Sequence, residues 1–323
     1  MNKELDIWQF AVRKLKKNIP SMLLVVAESS GSSPGRQGFK MIVAKDDLAG
    51  SIGGGVMEVN LVEQAKFKIQ NSKFKNDSEI VELTHQKNSL NSSGMICSGK
   101  QIVIFYQLDP TDLPTIRRVA RFLKNQKPSV LQISNGKFQI SENRQIEFDY
   151  RFLLNGESDF LYEEKLGFKH KLFIIGGGHC ALALSEIAAK MDFYITLFDD
   201  RPNLNTLEKN KFVHEKHIIE SYEKIGDYIS SGANVYVVVM TLGYKSDEIV
   251  IRALFDKKFK YFGVLGSRAK MKTLFVNLEK EGFPKRELAK IKTPIGLPIN
   301  SQTPEEIAVS IAAQIIAVKN SKD

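Results

Sequence analysis

Apolar positions along this chain follow two patterns. Some stand in short runs that end in glycine or a polar residue, and others recur every three or four residues. Residues 172–175, 194–198, 235–240 and 261–265 are such runs, interrupted only at Thr196 and Gly263 and suited to strands buried on both faces. Between the first two, Leu184, Ile187, Ala188 and Met191 share one face of a helix. Residues 246–255 read as a further helix. Near the C-terminus, Thr303, Pro304 and Glu306 form a cap, a first-turn proline and a capping-box partner. The helix they open turns Ile307, Ile311 and Ile315 to one side, widened by Ala308, Ala312 and Ile316.

The first half is patterned differently. Residues 3–17 predict an amphipathic helix with Leu5, Trp8, Val12 and Leu15 on its apolar stripe. Residues 23–27, 79–83 and 101–107 predict strands, and 111–125 a basic helix. Residues 129–133, 138–140 and 146–153 read as short strands separated by turns such as Asn135-Gly136. The expected fold class is α/β, with a Rossmann-like, doubly wound parallel sheet over residues 165–323. A separate N-terminal α/β domain with a mixed sheet takes residues 1–164. The boundary falls at the polar, acidic stretch ending near Glu164.

Two glycine-rich turns carry the candidate chemistry. The first, Gly176-Gly177-Gly178, lies between a strand and a helix, and the next strand ends at Asp199-Asp200-Arg201. That order matches a dinucleotide-binding unit. Gly176 allows the tight turn, Gly178 lets a phosphate approach the backbone, and Ala181 allows close helix–strand packing. The helix N-terminus favours an anion, and Asp199 or Asp200 can accept from a ribose. His179 stands at the mouth of the turn. A unit whose glycines serve packing alone has the same pattern. Arg268, after the cap residue Ser267, lies at the carboxyl edge of the same sheet.

The second turn, Gly53-Gly54-Gly55, also feeds a helix, with Glu58 in its first turn. It lacks the Lys-Ser/Thr of a phosphate-binding loop, so phosphoryl transfer is not indicated. Arg36 sits on a preceding Ser- and Gly-rich loop that ends at Gly38, just before Lys40; such a loop suits oxyanions, and on composition alone it is equally an ordinary loop. Cys97 lies between Gly94 and Gly99, where small neighbours leave a thiol approachable. His214 and His217 would share a helical face, but no third ligand is near, so no zinc site is expected.

Composition narrows the classes. The chain has 323 residues, 43% apolar and 26% charged, with a net charge of +9, as for a soluble protein with a preference for anionic ligands or acidic partners. No apolar run is long enough to span a membrane, no signal peptide is evident, and no nucleic-acid signature accompanies the charge. Two distant cysteines suit a reducing cytoplasm.

Six blocks then fall in order between Leu23 and Ile316: SSGSSPGRQGFKMIV, GSIGGGVMEV, GMICSGKQIVIFY, IIGGGHCALAL with LFDDRP, YFGVLGSRAKM and TPIGLPINSQTPEEIAVSIAAQII. In these the chain resembles the xanthine dehydrogenase accessory family, XdhC/CoxI. The resemblance implies a non-catalytic factor that binds the molybdenum cofactor (molybdopterin). Such a factor helps the cofactor gain its sulfido ligand and delivers it to a xanthine dehydrogenase-like molybdenum hydroxylase. It also implies a cysteine desulfurase as a further partner, a homodimer enclosing the cofactor, and Cys97 as a soft ligand near molybdenum. Two positions depart from the pattern: Val56 stands where many relatives have cysteine, and Leu242 where many have histidine. The competing expectation is an NAD(P)-dependent oxidoreductase using the Gly176 turn. No hydride-transfer constellation accompanies that turn, and no catalytic residue is expected.

Overall fold

The computed structural model describes residues 3–71, 78–85, 99–142, 146–155 and 159–321. The chain divides into two compact units, Asn2–Gly167 and Phe168–Asp323.

The N-terminal unit is built around strand β1 (Ser21–Gly31), whose first seven residues are all buried. Alternate side chains enter two separate cores. Leu23, Val25 and Ala27 meet Trp8, Ile104 and Ile116, while Met22, Leu24 and Val26 meet Leu61, Ala65 and Phe105. A strand covered on both faces needs no polar alternation, which is why its apolar run is unbroken. β1 pairs antiparallel with β2 (Lys40–Ala44) and with β5 (Gly99–Leu108). β3 (Leu48–Gly50) and β4 (Ser78–His85) complete the order β3-β2-β1-β5-β4. Helices α1 (Lys3–Lys16) and α3 (Leu113–Asn125) put their buried residues into the first core, and α2 (Gly55–Asn71) puts its own into the second.

A second sheet has the order β7-β6-β9-β8, from β6 (Ser129–Ser134), β7 (Lys137–Glu142), β8 (Tyr150–Leu154) and β9 (Phe160–Lys165). The mixed sheet expected here thus resolves into two antiparallel ones. β6 and β7 are joined by a tight turn, with no crossover helix of the kind parallel pairing requires.

β9 occupies the acidic stretch read from sequence as a boundary. Glu163 and Glu164 are both buried. Glu163 accepts from Gln132 and pairs with Arg151. Glu164 accepts from the Tyr162 hydroxyl and lies 2.6 Å from the Lys40 ammonium. Lys40 is buried too, and it also donates to Glu4 and to the Gly38 carbonyl. These ties join α1, β2 and the second sheet.

In the C-terminal unit the sheet is parallel throughout, in the order β12-β11-β10-β13-β14. Its strands are β10 (His170–Ile175), β11 (Phe193–Asp199), β12 (Glu215–Ile218), β13 (Gly232–Val239) and β14 (Phe259–Val264). This is the strand order 3-2-1-4-5 of a dinucleotide fold, with its crevice between β10 and β13. On one face α4 (His179–Ala189) and α10 (Pro304–Lys319) pack together over Leu172, Ile174 and Leu197. On the other, α7 (Tyr244–Leu254) and α8 (Arg268–Lys280) cover Ile175, Val237 and Val264. Short helices α5 (Asn205–Lys209), α6 (Ile225–Tyr228) and α9 (Lys285–Leu288) fill connections.

The helical face expected for His214 and His217 is absent, because His217 lies within β12. The His214 ring nitrogen accepts from the Ile195 N–H and the ring stacks on Tyr194. Burial lowers the His214 pKa, which suits the neutral, accepting form. His217 stacks on Phe198.

Removing the Lys40 ammonium leaves the buried Glu164 carboxylate without its cation. Lys40→Met is expected to lower unfolding free energy by about 3–5 kcal/mol. Lys100→Ala, which breaks an exposed pair with Glu82, is expected to cost under about 1 kcal/mol. Urea unfolding followed by the fluorescence of Trp8, the single tryptophan, measures both. Equal midpoints for the two variants would show that the buried pair carries no structural weight.

Candidate functional site

The parallel register brings three turns side by side at the carboxyl edge of the C-terminal sheet. Gly176 N–H donates to the Phe198 carbonyl, Met240 N–H to Ile175, and Leu265 N–H to Val239, each at 2.8 Å. At Gly176, φ is 102°, and an added Cβ would lie 2.3 Å from the Met240 carbonyl oxygen. Only glycine allows the two turns to cross there. Ala181 is fully buried against the sheet, as close helix packing requires.

Gly178 is the N-cap of α4. It provides no side-chain cap, and a Cβ placed on it would meet nothing within 4 Å. The positive end of α4 thus has no side-chain cap and has open space beside Gly178, an arrangement that suits anions. His179 is exposed beside it. Cys180 is half-buried, and burial, then Glu305, raises its thiol pKa.

Asp199, expected to meet a ribose, is fully buried and otherwise engaged. One of its oxygens accepts from Gly177 N–H at 2.6 Å and from Arg201 Nη2 at 2.8 Å. The other accepts from Arg201 N–H and Nε. Burial alone would raise the Asp199 carboxyl, but the hydrogen bonds from Arg201 and Gly177 outweigh it and hold its pKa below the ordinary value. Asp199 is thus the clasp of the glycine turn. Thr206 adds a second closure by donating to the Gly177 carbonyl. Asp200 is the more exposed acid, in contact with the Tyr222 hydroxyl at 3.3 Å.

At the end of β14, Ser267 caps α8 by accepting from Lys270 N–H, and Arg268 is exposed. Sequence reasoning misses Asp247. This buried carboxylate accepts from the Thr241 hydroxyl at 2.6 Å and from the Lys270 ammonium at 3.0 Å, so it ties the turn after β13 to α8. Its signal is an acid in the first turn of a helix that follows a glycine turn. Leu242 is 81% exposed on that same turn.

The other glycine turn lies in the N-terminal unit. Gly53, Gly54 and Gly55 have φ of 130°, 78° and 72°. A Cβ on Gly53 would lie 2.4 Å from Gly35 N, so this turn packs directly against the loop that carries Arg36. Glu58 folds back into it. Its carboxylate accepts from the Ser51 hydroxyl at 2.7 Å, Ile52 N–H at 2.8 Å and Gly54 N–H at 2.9 Å. Burial raises the Glu58 pKa, while these donors lower it further and win. Cβ positions on Gly54 and Gly55 are open, and Val56 is 58% exposed.

Arg36 is exposed and donates to the Gly31 carbonyl. Lys40, expected to face an anionic ligand, points into the buried carboxylate cluster described above, since its ammonium stabilises two acids of the fold. Cys97 lies outside the described residues. Among the described residues, no group of three His, Cys, Asp or Glu side chains is placed to hold a metal ion.

Two family profiles match this chain: the XdhC Rossmann domain over residues 172–315, and the XdhC and CoxI family over residues 15–75. The uncharacterized protein YqeB of Escherichia coli (strain K12) is 22% identical over 318 residues, covering 98% of this chain and 47% of that protein. A protein of Bacillus subtilis (strain 168) described as a probable xanthine dehydrogenase subunit is 28% identical over 160 residues, covering 49% of this chain and 46% of that protein. The chain therefore spans about half the length of the curated relatives it matches. A crystal structure described as a xanthine dehydrogenase from Bacillus halodurans has a TM-score of 0.71 at 22% identity. That match covers 98% of this chain and 96% of that one, and is a likeness of fold. With a parallel Rossmann sheet behind one matched segment and a glycine turn feeding α2 within the other, the chain belongs to the XdhC and CoxI family.

Proposed function

We propose that this chain is an accessory factor that binds the molybdenum cofactor and passes it to a xanthine dehydrogenase-like molybdenum hydroxylase. The observation that carries this reading is the open, uncapped start of α4 at Gly178. A side chain is absent there and an anionic group fits. The cofactor has a phosphate end, and a helix start without a side-chain cap is the kind of place that receives one. Arg268 adds positive charge at the same edge, whereas the charge of Arg201 is matched by Asp199. When bound, the cofactor would supply a molybdenum centre with an exchangeable terminal ligand. Receiving sulfur from a cysteine desulfurase, and enclosing the cofactor in a cytoplasmic homodimer, belong to the same proposal. Cys97 is its proposed soft ligand.

The residues divide by task. Glu58 and Asp199 each neutralise a glycine turn from within, so they hold the turns rather than the cofactor. Gly178, His179, Ser267 and Arg268 remain for the ligand. An NAD(P)-dependent oxidoreductase is the competing reading. With Asp199 engaged internally, it would have to contact the ribose through Asp200.

Protein purified from cells that make molybdenum cofactor is expected to carry near-stoichiometric pterin and molybdenum, read by fluorescence after oxidation and by mass spectrometry. Gly178→Leu places a side chain in the open space at a φ of −70° that any residue adopts, so it should fold normally and lose the cofactor. Arg268→Ala should retain less than wild type. Pterin-free protein that keeps NAD(P) would replace the accessory reading with the oxidoreductase.

Glu58 gives a pH dependence. Its folded pKa lies below its unfolded value of about 4.3, so its stabilisation is complete above that value. It is lost as pH falls through the folded pKa. Glu58→Gln is expected to cost about 1 kcal/mol at pH 7, discounted for partial exposure. The difference from wild type should shrink as pH falls below about 4. Urea midpoints from Trp8 fluorescence across that range check it, and a difference independent of pH would remove the charge from the explanation.

A further inference from the structure

The parallel sheet of the C-terminal unit ends at β14, and the outer side of that strand is nearly bare. One side of β14 is taken by β13. On the other, a single residue stands in for a sixth strand. Lys292 N–H donates to the Phe262 carbonyl at 2.8 Å, and the Lys292 carbonyl accepts from Val264 N–H at 3.0 Å. Main-chain groups of successive residues in a strand face opposite neighbours. Phe262 and Val264 therefore face outward, while Leu265 faces β13, where its N–H reaches the Val239 carbonyl. The Phe262 N–H is thus turned to the outer edge, and it meets no acceptor among the described residues. The chain does not extend its own pairing toward the start of β14, because it reaches Lys292 through α9 and a turn rather than along a strand.

A cavity of about 360 Å³ lies along this part of the edge. Half-buried rings line it. Phe255, Phe259 and Phe262 pack against the core beneath, and the last two meet edge to face at 5.7 Å. Its rim is basic. Lys257, Lys258 and Lys292 make no ion pair with any described residue. Glu287, the one acid among the described residues that line it, is matched by Lys290 at 2.6 Å. Lysine on a sheet edge ordinarily keeps edges apart. Here the same charge chooses the occupant. A second copy of this edge would bring lysines against lysines, so the sheet does not extend through its own kind. A strand with acidic side chains is attracted instead, and an apolar residue among them has the phenylalanines to cover.

We infer that the β14 edge docks an extended acidic segment of a partner protein, which adds to the sheet as a further strand. A carbonyl of the segment accepts from Phe262 N–H. Its carboxylates meet Lys257, Lys258 and Lys292, and an apolar side chain between them packs on Phe259 and Phe262. The inference does not require the accessory role. It concerns the side of the sheet, whereas the proposed function rests on an anion seat at the start of α4.

The probe is a fluorescein-labelled peptide of about eight residues, alternating glutamate and valine with one phenylalanine at its centre. It is titrated against the full chain by fluorescence anisotropy. Binding is expected, and it should weaken as salt rises. Glutamine in place of glutamate removes the charge and keeps the strand, so that peptide should bind more weakly. Methylation of alternate main-chain nitrogens keeps the charge and blocks pairing along one side of the strand. Of the two possible registers of methylation, one should bind roughly tenfold more weakly, the scale of two lost hydrogen bonds. The double variant Lys258→Glu with Lys292→Glu changes exposed side chains and should fold as wild type, checked by circular dichroism. It should bind the parent peptide roughly tenfold more weakly. Lys45→Glu with Lys272→Glu, equal in charge and also exposed but absent from the cavity, should bind it as wild type does. The inference is overturned if the parent peptide does not bind, if the glutamine peptide or both methylated peptides bind as tightly, or if the two double variants weaken binding equally. Single-stranded DNA that competes as well as the peptide would also overturn it, by making the surface a site for any polyanion. Wild type that binds the peptide but copurifies without molybdenum would sink the accessory proposal and leave this one standing.

Discussion

Several backbone N–H groups that converge on one point need an anion among them. Both glycine turns of this chain meet that requirement with a carboxylate of their own. Glu58 lies among the donors at Ser51, Ile52 and Gly54, and Asp199 accepts from Gly177 and from Arg201. Each acid also couples elements beyond its turn. Glu58 fixes the start of α2, which forms one wall of the second core. Asp199 joins the tip of β11 to the turn after β10. Glycine at these positions thus creates a need that the sequence answers a few residues away in one unit, and a helix and a strand away in the other.

This arrangement redistributes the chemistry of the carboxyl edge. An acid at the end of the second strand would ordinarily be assigned to a ribose, yet here it stabilises the protein's own backbone. What remains open is the start of α4, because Gly178 supplies no cap and no side chain. The turn after β13 is likewise held by Asp247 through Thr241 and Lys270. The edge is therefore preorganised by internal ion pairs, and its unfilled donors belong to one helix terminus.

Much of this is legible in the sequence, and the failures have physical causes. The parallel strands can be read because buried strands write nearly unbroken apolar runs, and glycine and aspartate mark their ends. β9 cannot, because Glu163 and Glu164 look solvated until Arg151, Gln132, Tyr162 and Lys40 are brought against them from elsewhere in the chain. β12 escapes because Glu215–Ile218 is a short edge strand with largely exposed side chains and no apolar face. Asp199 stands out as an acid expected to meet a ribose, and in the fold it meets Gly177 and Arg201. Sequence alone does not separate those roles, since the same residue type at the same position serves both. Lys40 misleads for the opposite reason, because a lysine just after a glycine-rich loop gives no sign that two carboxylates will bury it.

The packing of α10 on α4 has a consequence for how the protein is made. The strands of the C-terminal sheet and the helix after its glycine turn all leave the ribosome before residues 304–319. Until those residues appear, Leu184, Ala188 and the sheet beneath them lack the cover that Ile311 and Ile315 give in the finished unit. Domains emerging from synthesis fold as units, the N-terminal one first. The N-terminal unit can therefore close while translation continues, but the Rossmann unit must wait with apolar surface uncovered. This interval is when the nascent chain most needs protection from aggregation.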